Sequence, residues 1–170
     1  MKIVLGVDES KFSEEAVRSL MEQFPSGGTE VHIVHAIEPI SAYFSAEYFP
    51  HFVPRVKQVE QDRLKQAHIL VEAVGERLRK SGFRTSKQIL HGDPRSVLLE
   101  CAEKCKADLI VVGSHGLKGL NRMLMGSISE AVIRHAPCSV LVVRLRQKPL
   151  SRTRSSRKAR SLSRSRSKRG

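Results

Sequence analysis

Three glycines and a serine carry the most legible chemistry in this chain of 170 residues. Gly113 and Gly116 stand three apart, nine residues follow, and Gly126-Ser127 closes the stretch; Lys118, Gly119 and Arg122 fall between. Leu109-Ile110-Val111-Val112 precedes it, an uncharged, β-branched run of the kind buried on both faces of a parallel sheet. A segment with helical spacing follows it. Strand, glycine-rich loop and helix start together suit an anion. Glycine lets main-chain N–H groups approach closely, the first helical turn has unpaired donors, and the macrodipole favours negative charge there. Backbone amides around Ser114–Gly116 and Gly126–Ile128 would hold phosphate oxygens, the Ser127 hydroxyl would donate to one, and Lys118 and Arg122 would add positive potential. The alternative is a bare turn in which Ser127-x-x-Glu130 forms a capping box, so Ser127 has a structural role in either reading. His115, inside the loop, either donates to phosphate or faces solvent.

Asp8 is the second chemical signal. It ends the apolar run that starts at Lys2, at the carboxyl edge where open α/β sheets bind ligands. A carboxylate there would hold a metal ion on phosphates or a ribose hydroxyl, or would cap the first helix.

The elements that must position these residues alternate along the chain. Lys2 to Asp8 reads as a strand and Lys11 to Phe24 as a helix, with Phe12, Ala16, Val17, Leu20, Met21 and Phe24 at helical spacing. Glu30 to Ile37 reads as the second strand, Val56 to Ser81 as a long amphipathic helix, and Phe83 to His91 as the third strand. Asp93-Pro94 supplies an N-cap and a first-turn proline for a helix to about Lys106. The fourth strand and the loop come next, then a helix from Ser127 to His135 and a fifth strand from Ser139 to Arg144. This β-α alternation gives a doubly wound, five-stranded parallel sheet with helices on both faces; its strand order is 2-1-3-4-5 or 3-2-1-4-5. Residues 38–55 break the pattern. They hold three prolines, both tyrosines and three of the six phenylalanines, and read as a covering loop or a partner-contact surface.

Composition narrows the classes. The length suits one α/β domain with a proper core. No apolar run approaches the roughly 18 residues of a membrane span, and MKIVLGVDES turns polar too soon for a signal peptide. Cys101, Cys105 and Cys138 lack a metal-ligand spacing and fit a reducing cytoplasm as small apolar residues. The net charge of +13 is uneven: residues 148–170 hold ten of the 30 Lys/Arg and none of the 17 Asp/Glu, leaving 20 against 17 elsewhere. This tail has only Leu150 and Leu162 as large apolar residues and is expected to be disordered. Its cations would meet nucleic acid or an anionic membrane surface without sequence preference, or simply be solvated.

The glycine spacing resembles the nucleotide-binding signature of universal stress proteins of the ATP-binding type. The VDES start, the HGDP turn and the ending RHAPCSVLVVR resemble the same family, so the likeness spans about residues 1–146. It implies a Rossmann-like sheet of order 3-2-1-4-5, which makes the first and fourth strands neighbours and brings Asp8 to Gly113. It implies ATP as ligand, with Asp8 facing either the ribose or a Mg2+ on the phosphates, backbone contacts to adenine at Ala36, and further contacts along Val112, Gly113, Ser114, His115, Gly116, Gly126, Ser127 and Ile128. It also implies a homodimer paired through the fifth strand. One departure is Ser139, where the family often has a second proline; the tail is the other.

Three functions compete. The first is an ATP-binding stress-response module with little or no catalysis. The second is a slow ATPase or phosphotransferase, for which there is no GxxxxGK[ST] lysine and Asp8 is the only good candidate to orient an attacking group. The third is a dimeric interaction protein whose basic tail does the work.

Overall fold

A computed structural model describes residues 1–39, 53–116 and 125–145. Five strands and four helices alternate: β1 (Lys2–Gly6), α1 (Lys11–Gln23), β2 (Glu30–Ile37), α2 (Val53–Lys80), β3 (Arg84–His91), α3 (Pro94–Cys105), β4 (Leu109–Gly113), α4 (Ser127–His135) and β5 (Ser139–Val143). All pairings are parallel and the order is β3-β2-β1-β4-β5. Of the two orders the alternation allows, the chain therefore adopts the Rossmann-like one. Ile3, Val4 and Leu5 pair with Leu109, Ile110 and Val111, so the ends of β1 and β4 lie side by side.

Strand alternation sorts the apolar residues into two cores. Ile3, Leu5, Ile33 and Val111 face α1 and α2, packing on Ala16, Val17, Leu20, Val71 and Leu78. Val4, Val34, Ile110 and Val112 face α3 and α4, packing on Leu98, Ala102 and Val132. Each buried Val, Leu or Ile among them contributes about 1.5–3 kcal/mol relative to exposure. A strand covered on both faces cannot show an apolar-polar alternation, and this explains the continuous apolar runs of β1 and β4.

Helix ends follow local chemistry. Asp93 caps α3, its carboxylate accepting from the Arg95 amide at 2.8 Å, with Pro94 in the first turn. Lys106 takes a left-handed conformation (φ 52°) at the other end. Gly82 (φ 88°) turns the chain out of α2, a conformation that costs glycine little. α2 starts three residues before the expected Val56, because Pro54 sits in its first turn, where a missing N–H breaks no bond. The three cysteines are free, and burial pushes each thiol above its ordinary range. Among the described residues no helix is long and apolar enough to cross a membrane. Residues 40–52 of the 38–55 segment, and all of 148–170, lie outside the described residues.

Candidate functional site

A cavity of about 630 Å³ opens at the carboxyl ends of β1, β2 and β4. Asp8, Ala36, Val112, Gly113, His115, Gly116, Gly126, Ser127 and Ile128 all line it. Residues more than a hundred positions apart meet here because β1 and β4 are neighbours while the crossovers to β2 and β5 run in opposite directions. The sheet splits its loops at that point, which leaves a crevice.

Asp8 is held by the first turn of α1. Its Oδ1 accepts from the Ser10 amide at 3.0 Å, and its own amide donates to Ser13 Oγ at 3.0 Å. Ser10, not Asp8, is the N-cap: its side chain accepts from the Ser13 amide at 3.1 Å. Helix capping therefore does not account for Asp8. Its second oxygen, Oδ2, lies against Gly116, where an added Cβ would stand 2.9 Å from it.

The end of β4 and the start of α4 are joined through one carbonyl. Ser114 O accepts from the Gly126 amide at 2.9 Å and from Ser129 Oγ at 3.1 Å; Ser129 Oγ also lies 2.9 Å from Gly126 O. The Ser114 amide donates to Val143 O at 2.7 Å. Ser114 is thus buried and supports the loop from behind, with its N–H committed to β5. Gly126 is the N-cap of α4 with no side-chain cap bond, so the expected capping box from Ser127 is absent. Ser127 is instead the first helical residue and is exposed, while Glu130 reaches forward to Arg134 at 2.9 Å. The first intrahelical bond runs from the Glu130 amide to Gly126 O. The amides of Ser127 and Ile128 precede it and belong to the unpaired group at a helix start. A Cβ at Gly126 would lie 3.1 Å from Ser114 O.

Gly113 has a different reason for being glycine. A Cβ there would come within 2.8–2.9 Å of the Phe12 backbone and Cβ, so the residue lets α1 sit against the end of β4. Phe12 in turn packs on the His115 ring, centroids 4.9 Å apart, and His115 Nδ1 lies 3.1 Å from Ser114 Oγ.

At the other end of the cavity, β2 outruns β1. Val34 O accepts from the Val7 amide at 2.9 Å, and Ile37 O accepts from the Gly92 amide at 3.0 Å on the β3 side. Backbone groups of successive strand residues point in opposite directions, so Ala36 directs its N–H and C=O the same way as Val34. That direction is the cleft beyond the end of β1. The His35 ring donates from Nδ1 to Val7 O at 2.8 Å. Arg63, on α2, donates to Glu38 O at 2.8 Å and lines the same cavity. Sequence reading missed Ser13, His35, Arg63 and Ser129. A serine on the buried side of α4 was the one visible signal. Lys118, Gly119 and Arg122 lie outside the described residues.

A doubly wound parallel sheet with a glycine-lined cleft at its switch point defines a Rossmann-like α/β class. Within that class, the sequence model of the universal stress protein family matches residues 1–144, and the chain belongs to that family. It is 32% identical over 145 residues to universal stress protein MJ0531 of Methanocaldococcus jannaschii, covering 84% of this chain and 81% of that one. The solved structure of MJ0577 superposes with a TM-score of 0.74 at 26% identity, covering 86% and 97% of the two chains. A universal stress protein solved with cAMP (TM-score 0.60, 23% identity, 85% and 96% covered) and one from Archaeoglobus fulgidus solved with dAMP (0.59, 23%, 84% and 97%) share the fold.

Proposed function

We propose that this protein binds ATP in the cleft and acts as a cytoplasmic stress-response module with little or no turnover. The observation that carries the reading is the convergence of Asp8 Oδ2, Gly116 and the first-turn amides of α4 on one cavity wall. In it the phosphates sit on the Ser127 and Ile128 amides, since the Gly126 amide is spent on Ser114 O; Asp8 faces ribose or metal, and the Ala36 backbone meets adenine. The cAMP and dAMP complexes of the two fold relatives support an adenine ligand. No group of three His, Cys, Asp or Glu among the described residues is placed to hold a metal by itself. A Mg2+ would therefore rest mainly on phosphate oxygens with Asp8 as its protein ligand, its usual arrangement with nucleotides. Radiolabelled ATP with purified protein tests this. Retention without phosphate release supports binding, release that disappears in Asp8→Ala supports the ATPase reading, and no retention refutes both.

The domain in this reading spans residues 1–146, and residues 147–170 form a separate basic tail. Ten cations without a single carboxylate in residues 148–170 favour contact with nucleic acid or an anionic surface. Comparing the full chain with one ending at Arg146 decides it: equal RNA retention by both removes the tail from the account.

A further inference from the structure

The segment His35–Glu38 is tied down on three sides. The His35 ring binds Val7 O, Ile37 O accepts from the Gly92 amide, and Glu38 O accepts from Arg63 Nη1 at 2.8 Å. The first two ties are made by neighbouring strands. The third comes from a different layer, 25 residues on in sequence, and grips the chain just before it leaves the described part of the cleft. It is a charge-assisted bond to a carbonyl, and the contact is partly buried. Gln66, one turn further along α2, lines the same wall.

We propose that Arg63 is a positioning residue for base recognition: it fixes the end of β2 so that the Ala36 backbone meets the ligand's ring edge in one register. This rests on the nucleotide reading above and assigns the base, rather than the phosphates, to the α2 side of the cavity. The phosphate wall is built from the end of β4 and the start of α4 and, among the described residues, shares no hydrogen bond with Arg63. Losing Arg63 therefore frees the base-reading strand end and leaves the anion-binding amides where they are.

Titration calorimetry of the full chain with ATP, adenosine and inorganic tripolyphosphate tests this. Arg63→Leu keeps the apolar stem and removes the donor. It is expected to weaken ATP and adenosine by roughly ten-fold, the scale of a lost hydrogen bond to a charged group, and to leave tripolyphosphate unchanged. Arg63→Lys, which retains one donor, restores part of the loss. Unchanged ATP affinity in Arg63→Leu overturns the assignment. So does an equal loss for tripolyphosphate, because a general disturbance of the cleft would produce that. If Arg63→Leu does not fold, Arg63→Lys and Arg63→Gln carry the same comparison. A wild-type protein with no affinity for ATP overturns this inference together with the nucleotide reading, whereas a binding wild type matched by its variants overturns this one alone.

Discussion

Asp8 Oδ2 occupies the space that a side chain at Gly116 would need: a Cβ there would stand 2.9 Å away. The carboxylate has little freedom to retreat, because Oδ1 is bound to the Ser10 amide at 3.0 Å. The missing side chain at position 116 is thus what allows a carboxylate and a loop backbone to share one wall of the cleft. Gly116→Ala is expected to destabilise the fold by about 1 kcal/mol, the usual scale for displacing a bonded neighbour. In an Asp8→Ala background the same change should cost close to nothing. Denaturant melts of the four proteins measure the coupling, and additive costs would show that the two residues do not press on each other.

Ser129 should matter to both stability and binding although it is buried. Its hydroxyl joins Ser114 O to Gly126 O, and so ties the end of β4 to the start of α4 beside the proposed phosphate site. In Ser129→Ala each carbonyl keeps one other donor, the Gly126 amide and the Glu130 amide respectively. No acceptor is orphaned, so the stability cost should be about 1 kcal/mol. ATP affinity should fall as well, because the relative placement of Gly116 and the α4 amides loosens. Thermal melts and ATP titration check this; a stability loss with unchanged affinity would confine Ser129 to a packing role.

The parts of this molecule that sequence exposed are those set by local chemistry. β2 and α4 begin and end at the expected residues, Glu30–Ile37 and Ser127–His135, because glycine or proline punctuation bounds a clean apolar period. β1 stops at Gly6 and not at Asp8, since beyond Val7 the His35 ring replaces the ladder partner. The glycine pattern pointed to the loop, but it could not distinguish Gly113, which makes room for Phe12, from Gly116, which makes room for Asp8. Ser129 and Arg63 stayed hidden because their partners lie 15 and 25 residues away. A hydroxyl or a cation on a helix has no periodic signature that reports such a contact.

The cap of α3 gives a pH-dependent term. Arg95 holds the Asp93 carboxyl below the usual carboxylate range, with hydrogen bonding from its guanidinium the largest cause. A carboxylate with a depressed folded pKa contributes stability that is fully present above its unfolded value of about 3.9 and is lost as pH falls through the folded one. Asp93→Ala should therefore cost about 1 kcal/mol at neutral pH, the ordinary value of an N-cap. The gap between the two proteins should narrow below about pH 4. Urea melts at pH 7, 5 and 3 check the sign. A gap that widens on acidification would mean that Asp93 acts through something other than its charge.

β5 is an edge strand of the sheet, and the homodimer implied by the family resemblance would form along it. Val143 O accepts from the Ser114 amide on the β4 side, so Leu141 and Ser139 point their backbone groups the same way and Val140 and Val142 point theirs outward. The side chains alternate with them: Leu141 and Val143 reach the α1–α2 core, and Val140 and Val142 the α3–α4 core. The outward amides of Val140 and Val142 are thus the donors a second subunit's strand would use, and an uncovered apolar edge is an aggregation hazard. Val140→Pro removes one of these donors without touching the β4 ladder, a change edge strands tolerate. Light scattering at micromolar concentration should give twice the chain mass for the wild type and the single-chain mass for Val140→Pro, with a far-ultraviolet spectrum that stays folded. A wild type that is already monomeric would rule out pairing through β5, and a variant that stays dimeric would move the interface to another surface.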